Sequence, residues 1–421
     1  MVHDRYRWPG SLALILYGLS RPLLGADDAP FVGLKEASAE QFVAATLAAN
    51  PALPAREAAW EAARARAAQA PALDDPTLSY AFAPETLGNS EEEISHAVEL
   101  SQRLPWPGKR TLRGLRAEHE AQAIREDIDA ARLKLIAAAK DSFADWYYVH
   151  GAISVNRANQ RLLKEFHALA EIKYGTGSGS KQDALRAEVE SNMLEHRAIV
   201  LDRERREVLA RLNTLLNRVP DQALPTPADL PEPGPLPSAE ALRRSALTRR
   251  PELLALGARM AAQAARIDLA RRDFYPDFDV SARYDTFWDR DEQRLALGLS
   301  VNVPFDQAKR QAALDEARAI RMRTELAIAE RRAAIAGEIQ RAYERVEESM
   351  HVLALYRHKL LPLAAENLQA AQADYEAGAG DFLTLLSAEQ NLLRTELTAT
   401  RARADYYRRL AMLEYSAGGA P

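Results

Sequence analysis

The chain has 421 residues, of which 47% are hydrophobic and 27% charged, a composition that is ordinary for a folded protein and excludes wholesale disorder. Its 55 basic and 60 acidic residues give a net charge of −5, which provides no electrostatic basis for binding nucleic acid. The absence of cysteine excludes disulfides, thiolate metal sites, a cysteine nucleophile and lipid attachment at an N-terminal cysteine.

The first 26 residues have the order of a secretory signal peptide. Arg5 and Arg7 precede an apolar run from Leu12 to Leu19, and small residues follow it. We therefore expect residues 1–26 to direct export; the alternative is a short N-terminal helix with a hydrophobic face. The run is too short to cross a bilayer as a helix, which takes about 20 residues. Any membrane span of this chain is therefore expected to consist of strands.

The remainder of the chain is duplicated with an offset of about 200 residues. Ser38 recurs as Ser238, and Tyr174 with the glycines that follow it recurs as Tyr375. A period of this length indicates one large structural unit used twice. We predict a first repeat over 27–219, a proline-rich linker over 220–237, a second repeat over 238–418 and a tail over 419–421. The linker is either a strap along a helical body or merely extended surface chain.

Each repeat is predicted to contain a helix, two strands, a very long helix, a glycine turn and a returning helix. In the first repeat we expect helices from Ser38 to about Ala70 and from Gly108 to Lys173. At about 1.5 Å per residue, the second of these would reach on the order of 100 Å. The second repeat should match it from Asp306 to Asp374, interrupted only by Pro362. Taken alone, these stretches rich in helix formers favour an ordinary coiled coil.

Four segments of about 9 to 11 residues alternate apolar and polar side chains, which predicts strands with one apolar face that are long enough to span a bilayer when tilted. They form two hairpins, with loops at Pro84 to Glu92 and at Thr286 to Gln293. Four strands cannot close a membrane barrel, and an open edge is not tolerated in lipid, so the chain must oligomerise. Three copies would supply 12 strands, enough for an open lumen. The polar side chains expected to line it are Asp277, Asp279, Arg283, Asp285, Arg294 and Asn302.

We find no catalytic constellation, cofactor motif or nucleotide-binding glycine motif in the sequence. The eight histidines are dispersed, and His351 and His358 favour a surface or helix-packing role over a metal site. We therefore expect no enzymatic activity, no cofactor and no bound metal. Energy for any transport would have to come from a partner.

Several motifs, taken in order, resemble the TolC-type outer-membrane efflux channels over about Ser38 to Gly418. They are Asn50-Pro51-Ala52-Leu53, Ser101-Gln102 through Pro105-Trp106-Pro107-Gly108-Lys109-Arg110, Tyr174-Gly175-Thr176-Gly177 through Gln182 to Glu188, Leu212 to Asn217, and Tyr375 to Gln390. The second of these is most similar to the heavy-metal, CzcC-like branch that serves resistance-nodulation-division pumps.

The resemblance implies a mainly α-helical homotrimer in which 12 strands form an outer-membrane β-barrel, in contact with lipid, and 12 helices form a periplasmic tunnel. Substrates, heavy-metal cations in that branch, would pass from an inner-membrane pump and a periplasmic adaptor protein to the exterior. The two glycine turns would be the periplasmic tips that the adaptor contacts; the alternative is that they are simple helix-hairpin turns. The tip residues are Tyr174, Gly175, Gly177, Gly179, Tyr375, Gly378 and Gly380.

The resemblance also implies a closed entrance just beyond the tips, at Asp183, Arg186, Thr384 and Ser387. Thr384 and Ser387 depart from the doubly acidic pattern of the best-known members, which weakens the case for a strong cation-binding gate. The alternative role for Asp183 is a local i, i+3 pair with Arg186 on its own helix.

Two other classes of protein remain open. A periplasmic adaptor would also be exported with long helices, but it should carry one helical hairpin, a lipoyl-like β-domain and a membrane anchor. An exported coiled-coil scaffold would explain the helices and leave the four amphipathic strands without a purpose.

Overall fold

The computed structural model describes residues 31, 33–84, 96–288 and 290–419, which form long helices and a four-stranded sheet. The predicted signal peptide, most of the first hairpin loop, the start of the second predicted strand and the last two residues lie outside this part of the chain. None of the helices in the described ranges combines the length and apolar character needed to cross a membrane.

The elements follow the same order twice. The first series is β1 (Glu36–Ala37), α1 (Ala39–Ala49), α2 (Ala52–Gln69), β2 (Thr77–Phe82), β3 (His96–Leu104), α3 (Lys109–Gly175) and α4 (Lys181–Leu215). After β4 (Thr226–Pro227), the second series is α5 (Ala239–Arg249), α6 (Pro251–Arg272), β5 (Phe278–Asp285), β6 (Leu295–Val301), α7 (Gln307–Leu355), α8 (Leu361–Ala377) and α9 (Phe382–Ala417).

The first predicted helix is divided in the structure. Pro51 has no backbone N–H to donate, and Asn50 before it has extended backbone with ψ 123°, the conformation that a residue before proline favours. The Asn50 side chain donates to the carbonyl of Leu215 at 2.9 Å and accepts from the N–H of Ala52 at 3.0 Å. The prediction of one helix over 38–70 is therefore wrong at this proline, and two helices, α1 and α2, take its place.

The two very long helical stretches are confirmed. Helix α3 covers 67 residues, which at about 1.5 Å per residue is roughly 100 Å. In the second series a π-helical turn, Tyr356–Leu360, joins α7 to α8, and Pro362 falls in the first turn of α8. A π-turn and a proline each interrupt the regular hydrogen-bond ladder. Because the two lie next to each other, the ladder is interrupted at one place only, and α8 continues from α7.

The four long strands form one antiparallel sheet in the order β2-β3-β5-β6. Ala282 lies opposite both Leu100 and Leu297, so the apolar side chains of the two hairpins share one face. That face is open: Leu297 is 82% exposed, Leu78 is 71% exposed, and Leu295, Leu299 and Tyr80 exceed 60%. Strands β2 and β6 are the outer strands, and within the described chain neither pairs with another strand on its outer edge.

The segment between the two series lies along the helices as a strap. The indole of Trp146 donates to the carbonyl of Pro225 at 3.0 Å, and Leu230 is buried. Arg403 on α9 donates to the carbonyl of Leu230 and pairs with Asp229 at 3.2 Å. Of the two interpretations left open for this segment, the strap is confirmed.

Arg250 occupies the position in the second series that Asn50 has in the first. Like Asn50, it donates hydrogen bonds to carbonyls at the end of a helix, but through a larger side chain. It is 1% exposed and donates to the carbonyls of Tyr415 and Ser416 at 3.2 and 2.9 Å. Its guanidinium group also pairs with Glu252 at 2.8 Å. The last carbonyls of α9 are thus satisfied by a buried cation that is itself neutralised.

We expect Arg250→Ala to lower the free energy of unfolding by about 3–5 kcal/mol, because the change leaves the α9 carbonyls without their buried partner and leaves Glu252 paired only with Arg331 at 3.7 Å. The control is Arg244→Ala, which removes an exposed arginine whose pair with Glu240 spans 3.8 Å and should change the free energy by less than about 0.5 kcal/mol. Chemical denaturation followed by far-UV circular dichroism measures both. Equal effects of the two changes would contradict this account.

Candidate functional site

The turn between α3 and α4 is built on backbone hydrogen bonds to Lys173. The N–H groups of Ser178 and Gly179 both donate to the Lys173 carbonyl at 2.9 Å. Gly177 has φ +77°, a left-handed conformation that favours glycine. A Cβ at Gly179 would lie 2.9 Å from the Lys173 Cβ, closer than two carbon atoms can pack. The backbone conformation therefore favours glycine at Gly177, and the close approach of Lys173 requires glycine at Gly179.

The turn between α8 and α9 repeats this geometry. The N–H groups of Ala379 and Gly380 donate to the carbonyl of Asp374 at 2.9 and 3.0 Å, and Gly378 has φ +75°. A Cβ at Gly380 would lie 3.1 Å from the Asp374 Cβ. The two turns thus share one backbone geometry, although their side chains differ.

The helices that leave the turns are capped differently. At α4, Ser180 and Asp183 form a reciprocal capping box, with both N–H to side-chain oxygen distances at 3.3 Å. At α9, Asp381 accepts from the N–H of Thr384 at 2.7 Å. Hydrogen bonds from Thr384 hold the pKa of Asp381 below its usual range, and the charge of Arg186 adds to that effect. Both caps place a carboxylate at a helix N-terminus, where the helix dipole favours it.

The two turns are also joined to each other. Lys173 at the end of α3 donates to the carbonyl of Glu376 at 3.2 Å, and its ammonium group lies 4.9 Å from the centre of the Tyr375 ring. The Tyr375 ring meets Phe382 edge to face at 5.4 Å. Burial, with the charge of Asp183 as a further cause, raises the pKa of Tyr375. A cleft of about 580 Å³ lies between the turns.

The predicted tip residues fall into two groups. Gly177, Gly179, Gly378 and Gly380 line the cleft, and Gly175 ends α3. The equivalent tyrosines differ: Tyr174 is 52% exposed, whereas Tyr375 is 4% exposed and is part of the hydrophobic cluster of the tip. Sequence reasoning missed Lys173, which joins the two turns and lies outside the motifs. It also missed Phe382, which packs on Tyr375 and lies within the Tyr375 to Gln390 motif without being singled out.

The predicted entrance residues lie close together in the first turns of α4 and α9. Asp183 and Arg186 line the cleft, and Ser387 lines an adjoining groove together with Arg186. Thr384 donates its N–H to the cap of α9. In the described structure Asp183 and Arg186 form no ion pair, because the Asp183 carboxylate is turned to the N–H of Ser180.

The predicted lumen residues share the polar side of the sheet with different partners. Asp279 lies opposite Arg103 and Ser300, while Arg283 lies opposite Glu99 and Ala296. Each of the other four predicted lumen residues binds a residue close to it. Asp277 binds Lys109 at 2.9 Å, Asp285 pairs with Arg283 at 2.7 Å, Arg294 pairs with Asp291 at 3.0 Å, and Asn302 accepts from the N–H of Asp277.

The described chain combines long paired helices with an antiparallel sheet that has an exposed apolar face. Residues 242–419 match the family described as outer membrane efflux protein. The pyoverdine export outer membrane protein OpmQ of Pseudomonas putida is 23% identical over 392 residues, covering 89% of this chain and 80% of that protein.

Solved structures extend the likeness to more than nine tenths of the chain. The outer-membrane channel OprN matches with a TM-score of 0.77 and 23% identity over 91% of this chain and 90% of its own. CusC matches with a TM-score of 0.78 and 18% identity over 93% of each chain. The predicted resemblance to outer-membrane efflux channels is therefore confirmed for the fold and for the pattern of the second half. These matches do not single out the heavy-metal branch.

We expect Gly177→Ala to destabilise the tips locally by about 1–2 kcal/mol, because alanine is strained at positive φ. Gly175→Ala is the matched control: this residue is the last of α3, a Cβ there meets nothing within 4 Å, and alanine favours the helix by about 0.5–1 kcal/mol. Hydrogen exchange of the backbone amides of α3 and α4 next to the turn measures both changes. A faster exchange in Gly175→Ala than in Gly177→Ala would contradict the assignment.

Proposed function

We propose that the protein is the outer-membrane channel of a tripartite efflux system, a passive conduit from the periplasm to the exterior. The observation that carries this proposal is the combination of the exposed apolar face of the sheet with helices of about 100 Å that leave the same end of it. A sheet that exposes leucines on one face in water would be an aggregation hazard, whereas in lipid that face is at its lowest free energy.

The unpaired edges of β2 and β6 support a trimer. In hydrocarbon each unsatisfied backbone N–H or C=O group costs several kcal/mol, so the edge of β6 must pair with the β2 edge of another copy. Two copies would give eight strands and three would give 12, and only the larger barrel leaves a lumen that side chains do not fill. We therefore infer a trimeric 12-stranded barrel continued by a 12-helix tunnel. An outer-membrane location follows from this barrel and agrees with the relatives, which are outer-membrane proteins.

The polar side of the sheet suits the lining of that barrel. Asp279 and Arg283 are the lumen residues with side chains on the open middle of this face, and both signs of charge are present. Of the remaining predicted lumen residues, Asn302 is exposed, Asp277 and Arg294 are half-buried, and Asp285 is buried. Asp277 in particular connects the start of α3 to the sheet through Lys109 and the N–H of Trp106.

The two glycine turns are the proposed docking site of a periplasmic adaptor protein, which would connect the conduit to an inner-membrane resistance-nodulation-division pump. Their shared backbone geometry supports this role, because a partner that meets both turns finds the same low glycine surface twice. The exposed Tyr174 offers an aromatic side chain for such a contact. The proposed entrance lies directly behind the turns, at Asp183, Arg186, Thr384 and Ser387.

The proposal also concerns the class of substrate that the conduit exports. The similarity of Pro105 to Arg110 to the CzcC-like branch favours heavy-metal cations, whereas OpmQ is named for the export of pyoverdine, an organic substrate. A passive conduit does not need to hold its cargo tightly. Both cargo classes are therefore compatible with the mixed charges of the polar sheet face.

We expect Leu297→Arg to cost about 2–4 kcal/mol in the assembled barrel, because the guanidinium group would enter lipid near the midplane. Ser300→Arg is the matched control on the same strand, since Ser300 lies opposite Asp279 on the polar face. Native electrophoresis of outer-membrane fractions measures the trimer. The account predicts a reduced trimer for Leu297→Arg alone, and a normal yield of this variant would refute the lipid-face assignment.

If Asp183 lies near the threefold axis of the entrance, Asp183→Asn removes three charges and should lower the preference for cations over anions by roughly twofold or more. Asparagine can still accept from the N–H of Ser180, so the cap of α4 is retained. The control is Ser180→Ala, which breaks the same capping box and keeps the charge. Reversal potentials in planar bilayers measure the preference. An ion preference in Asp183→Asn that equals that of the wild type would assign Asp183 to helix capping alone.

A further inference from the structure

The tip half of the helical body contains a buried carboxyl group that the proposed conduit does not use. Glu389 on α9 is 1% exposed, and no residue in the described chain donates a hydrogen bond to its Oε1 atom. Its equivalent in the first series, Glu188 on α4, is exposed. The burial of Glu389 is therefore particular to the second series.

Glu389 lies in the hydrophobic layer where α3, α4, α8 and α9 meet. Ala388 and Leu393 on its own helix belong to the cluster that also contains Phe166 of α3 and Leu194 of α4. The neighbouring side chain of Gln390 donates to Glu190 of α4 at 2.7 Å, a direct hydrogen bond between α4 and α9. A carboxyl group placed beside this contact is well situated to affect the packing of the two helices.

The charged groups that act on Glu389 come from two helices. Glu190 on α4 and Glu396 on α9 oppose its ionisation, and Arg197 on α4 favours it. Helix α3 presents the neutral amide of Asn159, which donates to Glu396 at 3.2 Å, and α8 contributes apolar side chains to the same cluster. Two acidic neighbours against one basic neighbour leave the ionised form poorly compensated.

Burial, reinforced by Glu190 and Glu396, raises the pKa of Glu389 from an ordinary 4.5 to about 7. When α9 separates from α4 and water reaches the carboxyl group, its pKa returns toward the ordinary value. Because the pKa is higher in the packed state, packing is most favourable below pH 4.5. It weakens as the pH rises from 4.5 toward 7, and the loss is complete above pH 7.

We propose that Glu389 is a pH-sensitive element of the tips, which loosens the packing of α9 against α4 as the pH rises through neutrality and tightens it on acidification. The physical cause is the cost of holding an ionised carboxylate in an apolar layer beside two further glutamates. The element lies within the first turns of α9, directly behind the tip cleft. Loosening there would release the Gln390 to Glu190 hydrogen bond and let the α8–α9 hairpin move relative to α4.

The test is hydrogen exchange of the full chain, purified in detergent, with rates corrected for the intrinsic pH dependence of exchange. Between about pH 6 and pH 8, the opening equilibrium of amides in the first turns of α4 and α9 should rise about tenfold in the wild type. In Glu389→Gln the same amides should change by less than about twofold, and at the higher pH they should be better protected than in the wild type.

Two further variants keep the proposal falsifiable. Glu188→Gln removes the exposed equivalent and should keep the full pH response. Glu190→Gln removes a charge that opposes the ionisation of Glu389, so it lowers the pKa of Glu389 and should move the response to lower pH.

A tenfold response that persists in Glu389→Gln would overturn the proposal, as would a wild-type response no larger than that of amides in α1. Failure of Glu389→Gln to fold leaves the direction of the Glu190→Gln shift as the deciding observation. These readouts concern helix packing within one copy of the chain. They are therefore independent of whether the protein conducts ions.

Discussion

The structure depends on the packing of α3, the helix that runs from the sheet to the tips. A helix of 67 residues with a mixed, only weakly apolar surface is not stabilised by its own hydrogen bonds in water and needs neighbours along its length. It packs against α2 and α6 near the sheet and against α4 and α9 toward the tips. Small buried residues such as Ala139, Ala144, Ala152 and Ala170 let these neighbours approach closely. The functions proposed for the tips and for the sheet both require α3 to hold these two parts of the molecule at a fixed separation.

The duplication explains much of the architecture, and the places where the two series differ are informative. Asn50 and Arg250 both close the end of a returning helix, but only the arginine is buried with an acidic partner. The two tips share backbone geometry, yet Tyr375 is buried where Tyr174 is exposed. Such differences make one hairpin more firmly embedded than the other. In the proposed trimer, these differences would distinguish the two kinds of tip.

Much of the fold could be predicted because its signals are periodic and long. The extent of α3, the four alternating strands and the positions of the glycine turns all follow from local patterns in the sequence. The division at Pro51 was missed although a proline in the interior of a helix usually kinks or breaks it, and the direction of the chain there depends on the contact of Asn50 with the distant Leu215. The burial of Glu389, the link of Lys173 to Glu376, and the tie between Lys109 and Asp277 depend on which helices become neighbours. No single stretch of sequence contains that information.

The central claim is that copies of this chain assemble into a conduit through a bilayer. The most direct measurement is planar-bilayer conductance of the purified protein, with the mass of the oligomer determined in the same detergent. The account predicts stable trimers that insert and give discrete conductance steps. Monomers that leave the bilayer unaltered at every protein concentration would contradict it and would favour an exported helical scaffold instead.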